Sequence, residues 1–123
     1  MTDSLFDKRP NPVNLDRLRS HFREVYALTE PQIEVMLESS SRSVRQALED
    51  VQPLLEENVS SKALKPFLHG MKGLLLNIGE VEWADRVREM ERMAVENRLE
   101  EPQRAIALLE TGLEEIRDYS HKE

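Results

Sequence analysis

Apolar residues recur along this chain at intervals of three and four, and nowhere alternate in the two-residue rhythm of a strand. The pattern therefore predicts helices throughout. Leu15, Leu18, Phe22 and Val25 mark one side of a first helix from Leu15 to about Tyr26, with Asn14 placed to cap it. Thr29-Glu30-Pro31-Gln32 has the form of a capping box with proline in the first turn. The stripe that follows, Ile33, Leu37, Val44, Leu48, Val51 and Leu55, extends one long helix to about Asn58. Pro53 lies inside it and is expected to bend the helix or split it near residue 52, because proline removes a backbone donor. Ser60 or Ser61 opens the next helix, disturbed near its start by Pro66 and stopped by Gly79. Another runs from Glu80 to about Asn97 with Trp83, Val87, Met90 and Ala94 inward. Glu100-Glu101-Pro102 opens a last helix whose stripe is Ala105, Leu109, Leu113 and Ile116.

The expected fold class is all-α: an up-down antiparallel four-helix bundle over residues 29–120, with an additional N-terminal helix over 14–28 as a lid or extra layer. Residues 1–13, with Pro10 and Pro12 and no periodicity, read as a flexible N-terminal arm. The chain has 123 residues, enough for one core, and a third of them are charged, which suits solvated outer faces. The net charge of -7 weighs against a general nucleic-acid binder, which needs a basic surface. The absence of cysteine removes disulfides and thiolate metal sites. No stretch approaches the roughly 20 apolar residues that cross a bilayer, and Met1–Pro12 lacks the apolar run of a secretory signal. These features point to a cytoplasmic protein with neither nucleic acid nor membrane as partner.

Candidate chemistry concentrates in Leu68-His69-Gly70-Met71-Lys72-Gly73-Leu74-Leu75-Leu76-Asn77-Ile78-Gly79. At about 100° per residue, Leu64, Phe67, Leu68, Met71, Leu75 and Ile78 gather on one side, and His69 and Gly73 point away from it. Lys62, Lys65 and Leu76 share the outward side, with Lys72 at its edge. Gly73 sits one turn after the histidine, where glycine costs about 1 kcal/mol relative to alanine, which fits a close approach to the backbone. Lys72 at i+3 can reach an anion carried on the imidazole. An exposed Leu76 is useful where a partner covers it. Each feature has a plainer counterpart: a surface histidine, a glycine that serves helix packing, a solvated lysine. No His-x-x-x-His or His-Glu pair offers ligand spacing, so no metal site is expected. The acidic stretches Glu96–Glu101 and Glu110–Glu115 are most simply solvated faces.

His69-x-x-Lys72-Gly73, followed on the same helix by Asn77-Ile78-Gly79, resembles the signature of histidine-containing phosphotransfer (Hpt) domains. The likeness extends to Trp83-Ala84 and Met90-Glu91 on the next helix, where that family usually has Leu-Ala and Leu-Glu, and covers residues 30 to 119 or so. Leu74, Leu75 and Leu76 stand where small residues are common in the family, and Gly70 where Ser or Thr often follows the histidine. The resemblance implies a phosphorelay intermediate. His69 would accept a phosphoryl group from a receiver-domain aspartate or a kinase and pass it to another receiver. It implies Lys72 as the group that offsets phosphoryl charge, and Glu91 as a candidate to orient the imidazole. Gly73, Leu76 and Lys65 would lie on the partner-binding surface. The implied partners are a response-regulator receiver domain, a hybrid histidine kinase, or both, with the chain itself a monomer. No cofactor is expected, magnesium belonging to the receiver. Such a protein carries a transient phosphohistidine and is not a turnover enzyme. The alternative is a non-catalytic adaptor bundle that binds a receiver or kinase domain without transfer.

Overall fold

Local signals in the chain start and stop its helices, and long-range contacts then adjust their ends. The computed structural model describes residues 9–57 and 60–119. Asn14 accepts a hydrogen bond from the Arg17 amide and opens α1, Leu15–Glu24. Thr29 and Gln32 form the expected reciprocal box at the head of α2, Glu30–Glu56, satisfying two donors that a helix start leaves unpaired. Helix α2 runs through Pro53 without a break. The proline stands four residues before the Glu57 cap, whose amide donates to the Pro53 carbonyl, so little helix remains for it to disrupt. The expected end at Asn58 falls outside the described residues. Ser60 accepts from the Lys62 amide at 3.2 Å and caps a 3-10 turn, Ser61–Leu64. This turn lets α3, Lys65–Asn77, begin with Pro66 in its first turn, the place where a missing N–H costs nothing. Gly79, at φ 80°, ends that helix in the left-handed region. Helix α4 spans Val81–Val95 and turns off at Asn97, φ 57°.

Two expectations are corrected here. The last helix is not continuous: α5 covers Pro102–Gly112 and α6 Glu114–Arg117. The Gly112 carbonyl, which would bond the Ile116 amide in a continuous helix, instead accepts from the Val13 amide at 2.9 Å. Residues 9–13 of the supposed flexible arm supply that donor. Val13 is buried, and the Asn11 carbonyl accepts from the indole nitrogen of Trp83 at 2.8 Å. The arm's first eight residues lie outside the described residues. A smaller correction concerns Val25, expected on the apolar side of α1: it follows the helix end and is exposed.

The buried stripe of each long helix follows its periodicity, except that Leu55 on α2 and Phe67 on α3, expected in their stripes, are only partly buried. Leu18 and Phe22 of α1, Ile33, Leu37, Val44, Leu48 and Val51 of α2, and Leu68, Met71 and Leu75 of α3 meet in one core. Trp83, Val87, Met90 and Ala94 of α4 join them, with Ala105, Leu109, Leu113 and Ile116 from the C-terminal region. The described residues are all helical or irregular, with no strand, and no helix among them is long and apolar enough to cross a membrane. Helices α3 and α4 run antiparallel, since His69 lies opposite Glu91 while Ser61 lies opposite Asn97. Helix α1 closes over α2 and the α3–α4 turn. Arg17 grips the buried Glu80 through two hydrogen bonds of 2.9 and 2.7 Å, and Arg23 pairs with Glu30.

A Cβ on Gly112 would overlap the Trp83 ring, which is itself buried. Gly112→Ala is therefore expected to destabilise the fold by about 1–3 kcal/mol through overpacking. The check is a thermal melt, in which a drop of roughly 3–10 °C is expected.

Candidate functional site

Leu68, Met71 and Leu75 fix one side of α3 in the core, so the opposite side is presented to solvent. His69 stands there with its side chain 69% exposed. Gly70 and Gly73 flank it, and a Cβ built on either would find nothing within 4 Å. Leu76 continues the outward line at 44% exposure, and Lys65 precedes His69 by one turn on the same exposed side.

Across the groove, Met90 and Ala94 bury the inner face of α4 and leave Glu91 at its edge, only 13% exposed. One carboxylate oxygen, Oε2, lies 3.1 Å from His69 Nδ1, and the other accepts from Lys72 Nζ at 3.0 Å. Glu91 is thus shared by the imidazole and the lysine. Arg88 and Arg92, nearby on α4, pair instead with Asp85 and Glu89. Burial opposes ionisation of Glu91, but hydrogen bonds from Lys72 and His69 outweigh it and hold the carboxyl below its ordinary value.

A carboxylate can only accept, so the neutral ring must carry its proton on Nδ1. That leaves the lone pair on Nε2, which has no hydrogen-bond partner among the described residues. The arrangement is that of an oriented nucleophile: one nitrogen held, the other open, on a stretch of helix where two successive outward positions lack side chains.

The structure thus brings together His69, Lys72 and Glu91, with Gly73 directly beside them and Lys65 and Leu76 further along the same exposed side. His21 is not part of the group. Its ring packs against Gly79, about 15 Å along α3 from His69, and its Nε2 is buried. His121 lies outside the described residues. No group of three His, Asp or Glu side chains able to hold a metal gathers among the described residues. The Arg17–Glu80 clamp, which seats α1 beside the end of α3, has no signal in the sequence, its members being 63 residues apart.

Because the folded carboxyl of Glu91 titrates below its unfolded value of 4.5, the stability it contributes is present above that pH. It is lost as the pH falls through the lower folded value. Glu91→Gln should lower the melting temperature at pH 7 by about 2–4 °C, since an ion pair near the surface contributes up to ~1 kcal/mol. Melts of both proteins over an acid series check this, and the gap should close below pH 4.5.

Comparison of the chain with protein-family models, with curated proteins and with solved structures returns no match.

Proposed function

We propose that this protein is a phosphorelay intermediate that carries a phosphoryl group on His69 between receiver domains, or from a kinase to a receiver. In this reading α2, α3, α4 and the α5–α6 pair form an up-down antiparallel four-helix bundle, with α1 as an added N-terminal layer. The chain is monomeric and cytoplasmic. The observation that carries the proposal is the His69–Glu91 contact. It fixes Nδ1 and leaves Nε2 open on a face cleared of side chains by Gly70 and Gly73.

The Nε2 lone pair attacks the phosphorus of an aspartyl phosphate in line, an N–P bond forms, and the O–P bond to the aspartate breaks. The aspartate leaves as a carboxylate. The ring keeps its Nδ1 proton, still hydrogen-bonded to the ionised Glu91, whose negative charge offsets the positive charge the imidazole gains. Lys72 turns its ammonium from Glu91 toward the phosphoryl oxygens. Transfer onward is the same sequence in reverse. Any magnesium involved belongs to the receiver.

The test is incubation with receiver domains charged with radiolabelled acetyl phosphate. The protein should acquire a label that acid removes and base does not, as for phosphohistidine. A wild-type protein that takes up no label from any receiver or kinase overturns the proposal. A receiver that binds wild-type protein and a His69 variant equally, labelling neither, would make the protein an adaptor.

A further inference from the structure

Building on the phosphotransfer reading, we infer that Asn97 is a positioning residue for that transfer. Its side-chain oxygen holds Ser60 and Ser61, and so sets the height of α3 against α4 at which Glu91 meets His69.

Helix α4 ends on a residue that is second choice for its position. The Asn97 amide donates to the Ala94 carbonyl and the Arg98 amide to the Met93 carbonyl, the paired bonds of a Schellman motif. The central residue of that motif is left-handed, and Asn97 stands at φ 57°. Glycine is the usual occupant because it has no Cβ to clash. Helix α3 follows that preference: the Gly79 amide donates to the Leu76 carbonyl and the Glu80 amide to the Leu75 carbonyl, with Gly79 at φ 80°. Two helix ends of the same kind in one hairpin thus carry different residues, and the difference is a side chain with polar atoms.

That side chain is engaged. Asn97 Oδ1 accepts from Ser60 Oγ at 2.9 Å and from Ser61 Oγ at 3.0 Å. Ser61 is buried, and its hydroxyl has no other hydrogen-bond partner among the described residues. Ser60 Oγ also accepts from the Lys62 amide, so the same hydroxyl caps the 3-10 turn and ties it to α4. Helix α3 itself starts without a side-chain cap. Its entry is anchored by the 3-10 turn, and the turn is anchored by Asn97.

The place of this anchor matters for the imidazole. Ser61 lies eight residues before His69, and Asn97 six residues after Glu91, under two helical turns along α4. The hairpin is closed at one end by the Gly79 turn and at the other by Asn97, with the His69–Glu91 contact between them. Apolar burial holds α3 against α4 but is non-directional, whereas a hydrogen bond weakens steeply with distance and angle. A slide of about 1 Å is enough to carry the 3.1 Å contact between Nδ1 and Glu91 past hydrogen-bond length. The neutral ring is then free to place its proton on Nε2, the nitrogen whose lone pair has to attack.

Long-range proton–nitrogen NMR spectra at alkaline pH show which ring nitrogen keeps the proton, the His69 signals being those absent from His69→Gln. Wild type should carry it on Nδ1. Asn97→Gly retains a residue suited to the left-handed turn but removes the acceptor. It should move the proton mainly to Nε2 and slow single-turnover transfer, from a receiver that labels wild type, on the order of tenfold. Asn97→Asp supplies an acceptor for both hydroxyls again and should return both readings to wild type. Thr29→Ala, which removes the α2 cap, should lower the melting temperature and leave the spectrum unchanged, separating positioning from stability. A wild-type spectrum in Asn97→Gly overturns the inference, as does an Asn97→Asp spectrum shifted as far as that of Asn97→Gly. A wild-type ring protonated on Nε2 overturns it too. If no receiver labels wild type, the phosphotransfer reading falls, and the spectra still decide whether Asn97 places the ring.

Discussion

A His69→Gln protein is expected to fold like wild type and to take up no phosphoryl label from any receiver. The side chain is mostly exposed, so its loss should change stability by no more than about 0.5 kcal/mol. Glutamine suits the test because its amide can still donate to Glu91, which is then not left bare. The loss of label should be complete for the described residues, whose one other imidazole, His21, packs its ring against Gly79 and has its Nε2 buried. Labelling assays with matched circular dichroism and melting curves would check both halves. A label that persists in His69→Gln would move the acceptor elsewhere in the chain.

The second large effect is expected at Gly73. A side chain there meets nothing within 4 Å, so Gly73→Gln should be accommodated and should stabilise α3 by up to about 1 kcal/mol, as glycine gives way to a better helix former. The same side chain would stand one turn from the imidazole, on the face that a phosphoryl donor must approach. In-line transfer tolerates little displacement, and an ångström of misplacement can cost about a hundredfold in rate. Transfer should therefore fall on the order of a hundredfold or more while the melting temperature rises. These opposite signs separate steric exclusion from loss of structure. Unimpaired transfer in Gly73→Gln would show that the partner does not come down on this turn.

Much of α3 is legible in the sequence because its causes are local. The spacing of Leu68, Met71 and Leu75 alone orients the helix, and the outward placement of His69, Gly73 and Leu76 follows. The caps at Asn14 and Thr29 are legible for the same reason, each being settled within three residues. Glu91 is different. Its periodicity puts it near the edge of α4, but nothing in the spacing of that helix says which neighbour it meets. Its link to His69 crosses 22 residues and depends on how two helices align. The break between α5 and α6 is less legible still. Leu113 and Ile116 continue a regular stripe, and the cause of the interruption, the Val13 amide, lies about a hundred residues away in a segment with no periodicity at all. Proline misled in the same stretch for a related reason. Pro10 and Pro12 suit irregular backbone, and irregular backbone can be as well packed as a helix when its donors find partners.

The bonds from Asn11 and Val13 also bear on where this unit can be cut or joined. A designer reading the helices alone would splice at the Asn14 cap, the first regular boundary. That cut would remove a fully buried valine, strip the Trp83 indole of its acceptor, and leave the Gly112 carbonyl without the amide that bonds it. The module that can be transplanted intact starts ahead of its first helix, so a chimera or tag linked through this end has to carry those residues with it.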